Sequence, residues 1–209
     1  MDRPSKIVCV GRNYVDHAKE MGNDVPKEPL IFLKPPSSVI GNGDSVALPP
    51  QSKQVEYEGE IGVIIGRTLR HVTSEEAKGG IQSIVAVNDV TARDLQRSDS
   101  QWTRAKGFDT FCPIGNPVAA PADLGALTVV TRVNGQERQR AMGSDMVFSI
   151  PDLLAYISNV MTLEPGDLVA TGTPGGVGKL SDGDEVEVEI LGLSRVKNRV
   201  TTLNGGGKA

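Results

Sequence analysis

The chain has 209 residues, enough for one large domain or two small ones. Its net charge of −4 comes without a basic block, which argues against nucleic acid as a partner. No apolar run approaches the ~20 residues that span a bilayer, so no membrane partner is expected.

Glycine (24 residues) and proline (13) are abundant, which favours many short strands joined by tight turns over a helical bundle. Met1 to Lys6 carry no signal-peptide h-region, and the expected location is the cytoplasm. Cys9 and Cys112 sit among apolar neighbours and read as buried free thiols.

Lys6 to Val10 reads as a strand ending at Gly11. Asn13 as N-cap and Gly22 as stop frame a short helix. With the polar stretch that follows, residues 13–29 form a candidate mobile lid. His17 and Glu20, three apart, share a face of that helix and make a candidate acid/base dyad in which the carboxylate orients the imidazole. Leu30 to Leu33 is a strand, and Lys34 to Ser38 a turn.

Glu56 to Gly66 reads as one strand, with Tyr57, Ile61, Val63 and Ile65 on one side and Glu56, Glu58 and Glu60 on the other. Glu58 and Glu60 then lie roughly 6.5–7 Å apart at Cα. They repel each other unless a cation lies between them, and Mg²⁺, Mn²⁺ and Ca²⁺ all prefer such oxygen ligands. Gly62 to Ile65 continues the run apolar on both faces, so the acids begin a buried strand. Thr73 and Glu76 have capping-box spacing.

Ile81 to Thr91 is an apolar strand carrying Asp89, whose carboxylate must be paired or metal-bound. Glu58, Glu60 and Asp89 form a three-carboxylate set, which keeps a negative charge even with a divalent cation. Arg93 and Lys106 are the candidate positive partners. Ala92 to Gln101 reads as a polar helix, whose start presents Arg93 and Gln96 to one pocket. Trp102 to Asp109 reads as a loop, in which Lys106 is either an oxyanion clamp between aromatic residues or a surface lysine.

Asn134-Gly135, flanked by Leu127 to Val133 and Glu137 to Met142, is the clearest hairpin signal. Ser149 to Met161 reads as a capped amphipathic helix. Leu168 to Thr171, Glu185 to Leu191 and Arg195 to Leu203 are strands. Gly172 to Gly178 is a glycine loop without the ending of a P-loop; it either brings backbone N–H groups to an anion or simply joins two strands. No linker divides the chain. A single domain over 1–204 and a disordered tail over 205–209 are expected.

Taken in order, these stretches resemble the fumarylacetoacetate hydrolase family. The residues that carry the likeness are Glu58-x-Glu60, Asn88 to Gln96, Trp102 to Asp109 and Thr171 to Gly178. The opening Gly11-Arg12-Asn13-Tyr14-x-x-His17-x-x-Glu20 is similar to the small acylpyruvase branch. The resemblance implies a mostly β fold, a mixed β-sandwich roll with a few short peripheral helices, assembled as a homodimer. It implies Mg²⁺ or Mn²⁺ held by Glu58, Glu60 and Asp89. His17 and Glu20 would activate water, Lys106 would stabilise developing charge, and Arg93, Gln96 and Thr173 would hold a 2-oxo acid. The expected reaction is C–C cleavage of acylpyruvates such as fumarylpyruvate or acetylpyruvate through a pyruvate enolate. Decarboxylation of oxaloacetate passes through the same enolate. One alternative is an isomerase or tautomerase of 2-oxo dicarboxylates. A more remote one is a non-catalytic Ca²⁺-dependent binding module.

Overall fold

The computed structural model describes residues 4–15 and 26–203. The His17/Glu20 pair, residues 16–25 of the expected lid and the 205–209 tail lie outside the described residues.

The first strands are β1 (Ile7–Gly11), β2 (Leu30–Lys34), β3 (Val39–Ile40), β4 (Ser45–Leu48), β5 (Val55–Tyr57) and β6 (Gly59–Ile65). Helix α1 (Ser74–Lys78) leads into β7 (Ile81–Asn88) and β8 (Thr91–Ala92), then helices α2 (Arg93–Ser98) and α3 (Thr103–Lys106). Next come β9 (Cys112–Pro113), β10 (Val118–Ala119), β11 (Thr128–Val133) and β12 (Gln136–Met142). Helix α4 (Ile150–Val160) precedes β13 (Leu168–Ala170), β14 (Gly178–Lys179), β15 (Glu185–Ile190) and β16 (Ser194–Thr202).

A six-stranded sheet runs β10-β7-β6-β13-β1-β2, and a five-stranded sheet β12-β11-β15-β16-β4. A small sheet, β14-β5-β8, lies beside them. The sheets are mixed: β1 pairs parallel with β13 and β16 parallel with β4, while most other pairs are antiparallel. The architecture is mostly β, as the resemblance implied.

The two large sheets face each other. Val10, Ile61, Val63 and Ile84 of the first share one core with Val129, Val188 and Val196 of the second. Helix α4 adds Leu153, Leu154 and Ile157 to this core. The outer face of the six-stranded sheet is buried too, through Cys9, Ile64, Val85, Val87 and Cys112. Burial on both faces explains why its strands read as continuous apolar runs rather than alternating ones.

Local signals explain several elements. Thr73 and Glu76 form the expected capping box on α1, and Ser149 caps α4. Asn134 (φ 52°) and Gly135 (φ 76°) make the turn between β11 and β12, with both central residues left-handed as a type I′ hairpin requires.

The acidic strand differs from its sequence reading. It breaks at Glu58: β5 belongs to the small sheet and β6 to the large one. Its neighbour breaks at the same level, because β7 ends at Asn88 and β8 begins at Thr91. Gly59 pairs with Asn88 and Glu56 with Thr91, so the register is unchanged across the gap. Asp89 N–H donates to the Glu58 carbonyl (2.8 Å), and Glu58 N–H donates to the Asn88 side-chain oxygen (3.0 Å). Both acids thus stand where two paired strands leave one sheet for another. Gly59 is required beside them, since a Cβ there would lie 1.9 Å from the Thr131 hydroxyl of β11.

Candidate active site

Glu58, Glu60 and Asp89 converge as the spacing suggested. One carboxylate oxygen from each lies within 4.8 Å of the others, and all three residues are buried. Hard oxygen donors in this number suit Mg²⁺ or Mn²⁺ rather than a thiophilic ion.

Buried cations are interleaved with the acids. The Lys106 ammonium bridges Glu58 Oε2 (2.7 Å) and Asp89 Oδ2 (2.6 Å). Arg93 bonds Glu58 Oε1 through Nη2 (2.6 Å) and Glu56 through Nε (2.7 Å). Lys34 bonds Asp89 Oδ1 (2.6 Å) and the Val90 carbonyl (3.2 Å). Every oxygen of Glu58 and Asp89 therefore has a cationic donor and keeps further lone-pair capacity for a metal. Glu60 accepts the Gly172 N–H at Oε2 (2.8 Å). Gly172 makes this approach at φ 102°, a conformation that L side chains rarely adopt.

These contacts set the protonation states. Burial, then the charges of Asp89 and Glu58, hold the Glu60 carboxyl well above its ordinary range, despite Lys106 and the Gly172 N–H. Burial opposes the charge on Lys106, but Asp89 and Glu58 outweigh it and hold the ammonium above the usual lysine range. These two carboxylates favour the charged form of Lys106. Burial pushes the Cys112 thiol up to about 12 and also raises Cys9, so both thiols stay neutral.

A cavity of about 330 Å³ opens onto this cluster. Glu58, Arg93, Lys106 and Thr173 line its buried end, and Gln96, Phe32 and Trp102 its half-buried part. Phe32 and Trp102 meet edge to face with ring centres 5.2 Å apart, and the Lys106 ammonium lies 5.1 Å from the Phe32 ring centre. A larger cleft of about 580 Å³ lies elsewhere, with only Lys78 and Asp123 as charged groups in its wall.

The structure brings together Glu58, Glu60, Asp89, Arg93, Gln96, Lys106 and Thr173, and two of them have further partners within the protein. Three Arg93 nitrogens donate, to Glu56, Glu58 and Gln96 (2.6 Å), so Arg93 braces a candidate metal ligand while it lines the cavity. The Thr173 hydroxyl donates to the Gly59 carbonyl (2.9 Å) and accepts from Gln139 (2.8 Å), which leaves no hydroxyl proton for a substrate carboxylate. Lys106 ends the one-turn helix α3, where the sequence suggested a loop. Asn13 reaches across the chain: its amide donates to the carbonyls of Phe148 (3.1 Å) and Thr171 (2.9 Å), and its oxygen accepts the Phe148 N–H (2.9 Å).

Lys34 is a buried cation of this cluster that the sequence reading missed. The available signal was a lysine closing an apolar strand directly before Pro35-Pro36.

The mostly β fold holds three buried carboxylates and three cations beside a small cavity, a candidate carboxylate-type site for a divalent metal. A family model described as the C-terminal part of fumarylacetoacetate hydrolase matches residues 6–201, and the chain belongs to the fumarylacetoacetate hydrolase family. The human mitochondrial oxaloacetate tautomerase FAHD2A is 44% identical over 210 residues, covering 95% of this chain and 67% of the human protein. The crystal structure of 5-carboxymethyl-2-hydroxymuconate delta-isomerase from Mycobacterium smegmatis superposes with a TM-score of 0.90 at 43% identity, covering 97% of this chain and 80% of that one. Fumarylpyruvate hydrolase from Pseudomonas aeruginosa, solved with Mn²⁺ and pyruvate, gives a TM-score of 0.89 at 32% identity, covering 96% and 91%. Among the described residues no helix is long and apolar enough to cross a membrane.

Proposed function

We propose that this chain is a divalent-metal-dependent enzyme that interconverts the enol and keto forms of short 2-oxo dicarboxylic acids such as oxaloacetate. The observation that carries the reading is the Lys106 ammonium. It is buried and bonded to two of the three candidate metal ligands at the inner end of the cavity. Mg²⁺ or Mn²⁺ held by Glu58, Glu60 and Asp89 would draw electrons from the 2-oxo group and acidify the protons on C3. Lys106 stabilises the negative charge that develops on the 2-oxo oxygen as a C3 proton leaves. Gln96 orients the substrate with its amide nitrogen, because its oxygen is turned to Arg93. His17, steered by Glu20, is the candidate base. The names of the relatives at 44% and 43% identity support proton transfer.

Acylpyruvate cleavage is the second reading. It uses the same enolate, and the His17-x-x-Glu20 spacing and the likeness to fumarylpyruvate hydrolase favour it. One assay set separates the two. Enol–keto equilibration of oxaloacetate is followed by enol absorbance, and pyruvate release is followed from acetylpyruvate and fumarylpyruvate. Each is run with Mg²⁺, Mn²⁺ or chelator. Metal-dependent equilibration that outpaces pyruvate release is expected. Dominant pyruvate release would favour cleavage, and activity that survives exhaustive chelation would contradict both.

A further inference from the structure

We propose that Arg12, assisted by Arg97, binds the distal carboxylate of the substrate, so that the site selects 2-oxo diacids over 2-oxo monoacids of equal length. The proposal rests on the 2-oxo acid reading above and assigns the residues that enforce it.

The first observation is charge pairing. Lys34, Arg93 and Lys106 are all neutralised by carboxylates at 2.6–2.7 Å. Arg12 and Arg97 line the same cavity and are not. Arg12 makes no hydrogen bond or ion pair among the described residues. The one described side-chain bond of Arg97 runs to the neutral Gln54 oxygen, at 3.1 Å. Two guanidinium groups thus face the cavity without a paired acid among the described residues.

The second observation is backbone conformation. Arg12 sits at φ 60°, in the left-handed region, at a cost of order 1–3 kcal/mol for a residue with a side chain. Its neighbours hold it there: Gly11 is paired in β1 with Leu30, and Asn13 is tied by three hydrogen bonds to Phe148 and Thr171. Glycine would fit this position without strain, yet the chain places an arginine in the wall of the active cavity. Strain kept at such a place points to the side chain's use.

The third observation is the balance of charge. Glu56, Glu58, Glu60 and Asp89 face Lys34, Arg93 and Lys106, which leaves one net negative charge when all are ionised. A divalent cation reverses this to one net positive charge, enough for a single substrate carboxylate. A second carboxylate needs further positive charge, and Arg12 and Arg97 carry it in the more exposed part of the cavity. The planar guanidinium fork matches a carboxylate with two parallel hydrogen bonds. The cavity volume of about 330 Å³ equals roughly ten waters at about 30 Å³ each, which accommodates a short diacid.

Trp102, the only tryptophan in the chain, lines this cavity and gives a direct readout. The Mg²⁺-loaded protein is titrated with 2-oxoglutarate and with 2-oxopentanoate, a diacid and a monoacid of the same carbon count. The diacid should bind roughly ten- to a hundredfold more tightly, the range for a lost charged hydrogen bond. Arg12→Gln should remove most of this preference and leave monoacid binding unchanged, and Arg97→Gln should remove less. Arg12→Gly provides the folding control: it relieves the left-handed strain, so its Tm should hold or rise while the diacid preference is lost. Equal binding of both ligands by the parent would overturn the proposal, as would parallel loss of both ligands in the Arg12 variants, yet either result would leave the 2-oxo acid reading standing. If neither ligand binds, that reading and this proposal fall together.

Discussion

Lys34→Met tests how the buried charges hold the site together. The substitution keeps an unbranched apolar stem of similar length and deletes one cation. Lys34 is 2% exposed, and its ammonium bonds Asp89 Oδ1 at 2.6 Å and the Val90 carbonyl at 3.2 Å. Without it, Asp89 Oδ1 has lost its partner in a place that water does not reach. Removing one partner of a buried ion pair costs about 3–5 kcal/mol. At this chain length each kcal/mol moves Tm by about 2–4 °C, so the metal-free variant should melt roughly 6–20 °C lower. A divalent cation at the triad supplies positive charge beside the same Asp89. Mn²⁺ should therefore raise the Tm of the variant by more than it raises that of the parent. Thermal denaturation with chelator and with saturating Mn²⁺ measures both quantities. A Tm within about a degree of the parent, or an equal Mn²⁺ shift in both proteins, would refute the reasoning.

Further substitutions probe other groups. Glu60→Gln removes a carboxylate whose charged form is disfavoured by burial and by Asp89 and Glu58; calorimetry should show Mn²⁺ affinity lowered by about a hundredfold, while the metal-free fold keeps or gains stability. Lys106→Met should slow turnover on the order of 10²–10³-fold, as for a lost oxyanion donor, and steady-state kinetics should place the loss mainly in kcat. Asp167 joins the start of β1 to the turn before β13 through Lys6, Ser5 and the Glu164 N–H. Burial alone would raise its carboxyl, but these donors together bring it below the usual range. A depressed folded value contributes stability above the unfolded pKa of about 3.9 and loses it as pH falls through the folded value. Asp167→Asn should accordingly cost about 1–3 kcal/mol near neutral pH and less below about pH 4, measured by urea unfolding across pH.

The three clustered carboxylates were legible because acids interrupt apolar strands, and a buried carboxylate demands a partner wherever it is. The hairpin at Asn134-Gly135 and the caps at Thr73 and Ser149 were legible because their chemistry is local. The break at Glu58 was not: the alternation of side chains runs on through it, and only the pairing of β5 with β8 and β6 with β7 reveals that the strand changes sheets. Lys34 was not legible either, because its partner lies 55 positions away and its neighbours Pro35-Pro36 signal only a turn. Arg93 and Thr173 were placed at the site, but their partners within the protein were not legible. Both are strong hydrogen-bonding groups, and which acceptors claim them is decided by Glu56, Glu58 and Gly59 in the folded chain.

The account stands most directly on whether ligand and metal bind together at the triad. Oxalate, a planar dianion that mimics the enolate of a 2-oxo acid, can be titrated into the protein with and without Mn²⁺, with Trp102 fluorescence as the signal. The account predicts oxalate binding that requires Mn²⁺ and disappears in Glu60→Gln and Asp89→Asn. Oxalate binding of equal strength in chelator, or undiminished in those variants, would contradict it.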